Sequence, residues 1–335
     1  MIRNTLSAFI TIMGLCSLPH LAEAKADTLC IYDPGGANGD IYNLMKDYRV
    51  AAKGWGVDLK MKPYTDEKTA AEDFKAGQCK AVLMTGTRVR QFHSFAGSME
   101  AMGALPSYDL LKKITRSLSG KKAAKLMKNG EYEVAGILPG GAIYLLVRDR
   151  KVDTVAELAG KRIATLEYDA ASKKMVRHVG AAIVAADVGT FSGMFNNGSV
   201  DAAYAPATAY KALELYKGVG SKGGVIQYPL AQMTLQLLVR TKDFPADFGL
   251  KSRAYAAKQF GAALRMVKAA EKSIPAKDWI PIPEADKGRY DEMFLNVRVG
   301  LRDKEKIYNG RMLKLLRKVR CKKNKARAEC AEKRE

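Results

Sequence analysis

Thr28-Leu29-Cys30-Ile31-Tyr32, running straight into Asp33-Pro34-Gly35-Gly36, is the stretch that decides the fold. A short apolar run closed by a Pro-Gly turn signal reads as a buried strand. From Asp40 to Trp55, Ile41, Leu44, Met45, Tyr48 and Ala52 recur on one helical face. Val57–Lys62 alternates as a strand does. Thr65 is placed to cap a helix that ends at Gly77. Ala81–Met84 is a second buried-type strand, followed by Thr85-Gly86-Thr87-Arg88. This β-α-β-α-β run predicts a parallel sheet with loops at its strand ends.

Farther along, Leu110–Lys128 reads as a basic helix and Ala142–Arg148 as a strand. A second β/α run follows. Its strands are Arg162–Leu166, Ile183–Ala186, Ala202–Ala205, Val225–Gln227 and Gln236–Arg240; its helices are Thr154–Leu158, Ala171–Val179 and Thr190–Asn196. Ser252–Lys272 is a long amphipathic helix with Tyr255, Phe260, Leu264 and Val267 inward. After Pro281 and Pro283, helices are expected over Asp291–Val299 and Lys306–Arg320, the second striped by Met312, Leu315, Leu316 and Val319. The predicted class is α/β, two lobes with the ligand cleft between them. Lobe 1 takes residues 25–147 plus 241–275, lobe 2 takes 148–240, and residues 276–335 form C-terminal helices whose basic tail packs across the lobes. Ligands of open α/β sheets lie beyond the carboxyl ends of strands, so the expected site is the cleft between the lobes, closed by a hinge.

A chain of 335 residues has the length of about two lobes. Its 47% apolar and 27% charged residues exclude a disordered chain, and three His with five Cys exclude a multi-zinc protein. Residues 1–24 read as a cleaved signal peptide: Arg3, the apolar run Leu6–Leu18, then Ala22-Glu23-Ala24 before Lys25. Cys16 is no lipoprotein cysteine, because the bulky Leu15 precedes it. No later stretch approaches the ~18 unbroken apolar residues of a spanning helix. An exported, periplasmic chain is therefore expected. Cleavage would remove Arg3 and Glu23 and leave the net charge at +21. It would also leave four cysteines, for which the expected pairs are Cys30–Cys79, on neighbouring strands, and Cys321–Cys330.

Four segments and a cysteine pair carry a family resemblance. Asp153-Thr154-Val155-Ala156-Glu157-Leu158-Ala159-Gly160-Lys161-Arg162-Ile163 resembles the linker helix and G-K-x-I strand of extracytoplasmic solute-binding proteins. Asn197-Gly198-Ser199-Val200-Asp201-Ala202-Ala203-Tyr204-Ala205-Pro206 resembles their strand ending at the cleft. Phe74-Lys75-Ala76-Gly77-Gln78-Cys79-Lys80-Ala81, Gly103-Ala104-Leu105-Pro106-Ser107-Tyr108 and the late cysteine pair resemble the AdeT-type subgroup of the TRAP-type, dicarboxylate-binding branch. The resemblance implies a two-lobed periplasmic binding protein-like fold of type II, capture of a small polar solute, anionic in that branch, and delivery to the subunits of a TRAP-type membrane transporter. The alternative it leaves open is an envelope accessory protein of an efflux system that captures no solute. Members of the branch carry an Arg, which binds the ligand carboxylate, on the strand after the G-K element; Ala164 stands there in this chain, and Arg162 is expected to point away.

Among the residues themselves, Arg88 is the leading anchor for an anion, with Arg148 and Arg240 at other strand ends, because a guanidinium grips a carboxylate or phosphate bidentately. Thr85 and Thr87 flank it. Asn38, in Asp33-Pro34-Gly35-Gly36-Ala37-Asn38-Gly39-Asp40, sits where loop amides at a helix start would meet an anion. Tyr168, Asn196, Asn197, Tyr204 and Tyr210 fall near predicted cleft edges as polar contacts, and Glu167 and Asp169 read as loop charges, with contact to a cationic ligand the lesser alternative. His93 and His178 lack metal-ligand spacing, and no Walker A, G-x-S-x-G or H-E-x-x-H motif is present. No cofactor, metal, catalysis or nucleic-acid partner is expected. The nine Lys/Arg between Arg311 and Arg327 read as a solvated cationic face, with an anionic envelope surface as the partner they would meet.

Overall fold

The computed structural model describes residues 27–335; the expected signal peptide lies outside the described residues. Strands β1 (Asp27–Tyr32), β2 (Leu59–Tyr64) and β3 (Ala81–Thr85) are parallel. Beyond a two-residue β4 (Lys128–Asn129) comes β5 (Tyr132–Val147), then β6 (Arg162–Leu166), β7 (Ala182–Ala186) and β8 (Ala202–Pro206). The remaining strands are β9 (Gly224–Ile226), β10 (Ala231–Arg240) and β11 (Trp279–Ile280). The sheet order is β2-β1-β3-β10-β5-β8-β6-β7.

β5 and β10 join the two halves. β10 lies antiparallel between β3, through Leu235–Val239, and β5, which it follows from Ala231 opposite Ile143 to Arg240 opposite Tyr132. The far end of β5, Ile143–Val147, instead pairs with β8. Pro139-Gly140-Gly141 bends β5 between these partners, with Gly141 at φ +122° and a register shift opposite at Met233/Thr234. That φ is open to glycine at little cost. The helix Phe248–Lys272 runs alongside: Ala256 lies 3.3 Å from where a Cβ on Gly136 would stand, and Val267 lies 3.5 Å from one on Gly141. β5 ends at Val147 and β10 at Arg240, and β5 pairs with strands of both half-sheets.

The buried apolar residues form separate packs on the two faces of each half-sheet. Cys30, Phe74, Val82 and Leu111 pack on one face of the first half, and Leu29, Ile31, Met45 and Phe248 on the other. In the second half, Phe195, Leu215 and Val225 oppose Val147, Ile163 and Ile280. The helix Glu284–Asp303 enters both halves, through Tyr290 and Phe294 in the second and Val297 and Leu301 in the first. Met312, Leu313 and Leu316 of the helix Gly310–Lys323 join the first.

Several elements differ from expectation for local reasons. The front half of β5 was hidden because Pro139-Gly140-Gly141 reads as a loop. The expected Leu110–Lys128 helix is a helix over Tyr108–Ser119, stopped by Gly120, and a 3₁₀ segment after it. The cap of the helix Glu67–Lys75 is Asp66, which accepts from the amides of Lys68 and Thr69, and not Thr65. Lys306 has φ +56°, so the last long helix starts at Gly310 behind the Asn309 cap.

The basic tail is partly spent inward. Arg298 and Arg320 are buried and bind the carboxylates of Glu329 and Glu335 and the carbonyls of Met102 and Ala104. Arg327 pairs with Asp291 at 3.0 Å and Glu329 at 2.7 Å. Burial pushes the Glu329 carboxyl up; the hydrogen bond and charge of Arg320, then the charges of Arg298 and Arg327, outweigh it and hold it at about 2. Because this folded value lies below the ordinary 4.5, the stabilisation is complete above pH 4.5 and is lost as the pH falls toward 2. Glu329→Gln is expected to flatten the slope of stability against pH in that window, measured by urea unfolding.

Cys30–Cys79 closes 49 residues and Cys321–Cys330 closes nine, with Cα separations of 5.9 and 5.6 Å. Loop-closure entropy then predicts a loss of about 4 kcal/mol on removing the first bridge and about 3 kcal/mol on removing the second. Urea denaturation of C30A/C79A and C321A/C330A checks the order; an equal loss contradicts it.

Candidate functional site: the interlobe cleft

The carboxyl ends of β1 and β3 face β6 and β8 across a cavity of about 520 Å³. Tyr32, Glu67 and Thr85 line it from the first half; Ala164, Phe191 and Tyr204 line it from the second. Pro139, Gly140 and Met233 form its back at the bend, and Phe294 and Tyr308 of the C-terminal region complete it.

The turn after β1 is built around Asp33. Its carboxylate accepts from the amides of Gly35 at 2.8 Å and Tyr42 at 2.9 Å, so it fills the start of the helix Asp40–Lys53 itself. A Cβ on Gly39 would fall 2.0 Å from that carboxylate, which requires glycine there. The loop amides expected to meet a ligand anion are therefore occupied by the chain's own anion. Asn38 is exposed on the cavity rim, and its carbonyl accepts from Asn43.

Glu67, at the first turn of its helix, accepts the Thr85 amide at 2.6 Å and the Tyr168 hydroxyl at 3.1 Å. Arg88 stacks on the Tyr168 ring, its guanidinium 3.4 Å from the ring centroid, and its Nε lies 3.5 Å from Glu67. Thr85 Oγ1 accepts the Arg88 amide, and Thr87 donates to Glu100 at 2.6 Å. Glu100 also accepts from the amides of Gly86 and Thr234 and from the Thr234 hydroxyl. Burial pushes the Glu100 carboxyl up against the pull of those hydroxyl and amide bonds. Arg90 pairs with Asp169 at 3.2 Å and lies 5.1 Å from the Tyr308 ring centroid. Burial works against its charge, but Asp169, Tyr308 and Glu100 more than restore it. Burial, then the charge of Glu67, pushes the Tyr168 hydroxyl well above its usual range.

Of the residues expected at the site, Thr85, Thr87, Asn38 and Tyr168 lie on the cavity wall. Arg88 lies behind Tyr168. The rest hold structure elsewhere. Arg148 donates to the carbonyls of Phe195 and Asn196. Arg240 pairs with Glu131 at 2.5 Å and donates to the carbonyls of Phe74 and Lys75. Asn196 ties Leu213 to Gly218, Asn197 closes a turn on Ser199, and Tyr210 donates to Asp278 at 2.7 Å. All these residues sit at strand or helix ends, but at the ends away from the cleft or inside the second half. Arg162 is turned outward and pairs with Asp201. Tyr204 lines the cavity and accepts the Leu166 amide; Glu167 is exposed. His93 caps the turn at Ser94 by accepting the Ala96 amide, and His178 ends a helix. Sequence reasoning missed Tyr32, Glu67, Arg90 and Glu100. Tyr32 and Glu67 were legible as the last residue of a strand and the first of a helix; no pattern marks Glu100.

The family model described as solute-binding protein AdeT 1/2 matches residues 49–335. The chain belongs to this family. It is 42% identical over 301 residues to the probable solute-binding protein AdeT1 of Acinetobacter baumannii, covering 90% of this chain and 99% of that one. With AdeT2 of the same organism it shares 26% identity over 225 residues, 67% of this chain and 94% of that one. Its fold matches a TRAP periplasmic solute-binding protein from Desulfovibrio salexigens with bound orotic acid, at TM-score 0.71, 14% identity, and coverage of 89% and 98%. It also matches one from Rhodoferax ferrireducens with bound malonate, at TM-score 0.72, 13% identity, and coverage of 88% and 98%. The expected two-lobed fold and solute-binding family are thus both found.

The bonds Glu67–Tyr168, Arg88–Tyr168 and Arg90–Asp169 cross from one lobe to the other. A desolvated cation–π contact alone contributes about 2 kcal/mol, or roughly thirtyfold in a two-state equilibrium. Tyr168→Ala is therefore expected to shift the protein toward an open form with a larger radius of gyration in small-angle scattering and unchanged circular dichroism. An unchanged radius would show that closure rests elsewhere.

Proposed function

We propose that this protein is an exported solute receptor that closes its two lobes over a small molecule and presents the closed form to the subunits of a TRAP-type membrane transporter. The observation that carries this reading is the cavity itself: it is lined from both half-sheets and lies at the carboxyl ends of their strands, where a hinge motion opens and closes it. Among the described residues no helix is long and apolar enough to cross a membrane, which fits a freely diffusing receptor. The two disulfides fit an oxidising compartment, and with residues 1–24 read as a signal peptide they support the periplasm. No bond chemistry is part of the mechanism. Binding stabilises the closed arrangement, and the bend at Pro139-Gly140-Gly141 supplies the motion.

A ligand that binds only the folded form stabilises it by about 2.7 kcal/mol at a hundred times its Kd. A thermal-shift screen of organic acids, sugars, amino acids and amines is expected to raise the Tm with at least one class. Small-angle scattering with that ligand should show a smaller radius of gyration than Tyr168→Ala without it. A screen in which nothing moves the Tm speaks for the accessory reading.

A further inference from the structure

We propose that the cleft takes an organic cation, an ammonium group on an apolar body, and not a carboxylate. The inference rests on the solute-capture reading and names the ligand class of that same site.

Charge on the lining is one-sided. Asp33, Asp40, Glu67, Glu100, Asp153 and Asp169 all belong to the lining, Asp33 and Glu100 being held by the chain's own amides and hydroxyls, while Arg90 is the one cation on its wall among the described residues, and Asp169 already holds it. Arg88 is turned against Tyr168 and Glu67. At the position where the resemblance implies a carboxylate-binding Arg, Ala164 presents a methyl group to the cavity. An incoming carboxylate would thus meet like charge without a free guanidinium.

A second observation locates the seat. The Tyr32 side chain is 6% exposed, lines the cavity, and among the described residues its hydroxyl has no hydrogen-bond partner. It stands at the end of β1 between Glu67 and Asp33. Burial, then the charges of these two carboxylates, drives its hydroxyl well above the usual range, with Arg88 opposing. The field at this corner therefore favours positive charge. An ammonium at the corner would donate to the Tyr32 and Glu67 oxygens. Its body would lie along Met102, Met233, Met266, Met293 and Phe191, soft and polarisable surfaces that suit an apolar chain or ring. Tyrosine faces nearby add cation–π attraction.

The test uses three probes with one body: phenylbutylamine, phenylbutanol and phenylbutanoate. Binding is measured by thermal shift and calorimetry at low and high salt, on the disulfide-intact protein. The expected order is amine over alcohol, with no binding of the carboxylate. The amine's Kd should rise about threefold for Tyr32→Phe, about tenfold for Glu67→Gln, and further for Ala164→Arg, which puts a cation on the wall. Circular dichroism confirms that each variant is folded, and Tyr32→Phe, which leaves the Glu67–Thr85 bond in place, keeps the test meaningful if Glu67→Gln unfolds. A carboxylate that binds as well as the amine overturns the ligand class while solute capture stands. So does a neutral or anionic hit, with no amine, in the wider screen. If neither the three probes nor the wider screen moves the Tm, both the ligand class and solute capture fall.

Discussion

Two antiparallel strands that belong to both lobes set the geometry on which everything else depends. β5 must satisfy its backbone groups against β10 from Tyr132 to Ile143 and against β8 from Ile143 to Val147. A backbone left unpaired at such depth costs about as much as a lost hydrogen bond at each group, so the strand bends and does not end. The bend falls at Pro139-Gly140-Gly141, where a missing amide and a positive φ are tolerated. Because sheet pairing is continuous across it, the lobes are held at a fixed spacing and free to change angle. The cavity is the space that this bend leaves between two sets of strand ends.

The same physics that allows arginine inside the cleft removes it as an anchor. Arg88 is buried and the Arg90 side chain is only 11% exposed, and an ionised group taken out of water must be paired or bear a penalty of several kcal/mol. Glu67 with Tyr168, and Asp169 with Tyr308, supply that pairing. A ligand carboxylate would have to displace these partners before it gained anything. In the related folds with bound orotic acid and malonate the ligand is an acid; here the charges that would meet one are already matched within the chain.

Much of this was legible in the residues. The parallel strands of the first lobe follow from Thr28–Tyr32 and Ala81–Met84, the Cys30–Cys79 bridge follows from the neighbouring strands, and Cys321–Cys330 follows from nearness in sequence. What the sequence concealed is non-local. Arg148 and Arg240 end strands just as Arg88 does, yet their partners, the carbonyls of Phe195 and of Phe74, are brought to them by chain segments 47 and 166 residues away. A one-dimensional pattern shows that a side chain ends a strand, not which end of the sheet faces the gap. Glu100 is the clearest case: its four donors come from Gly86 and Thr87 on one element and Thr234 on another, which meet only in the folded chain.

The chain's net charge of +21 would by itself favour an anionic ligand, but the two scales of electrostatics separate. At physiological ionic strength a surface charge is screened beyond about 8 Å, so the exposed lysines of the helices Tyr108–Ser119 and Gly310–Lys323 act on the encounter and on anionic surfaces, not on the cleft interior. Inside the cavity the medium is less polar, and a unit pair at 4 Å is worth roughly 4 kcal/mol at an effective dielectric of 20 against about 1 kcal/mol in water. The carboxylates that line the wall therefore decide what stays bound, whatever the outside of the molecule attracts. A positive exterior around a negative cleft slows the approach of a cation and strengthens its retention once the lobes have closed.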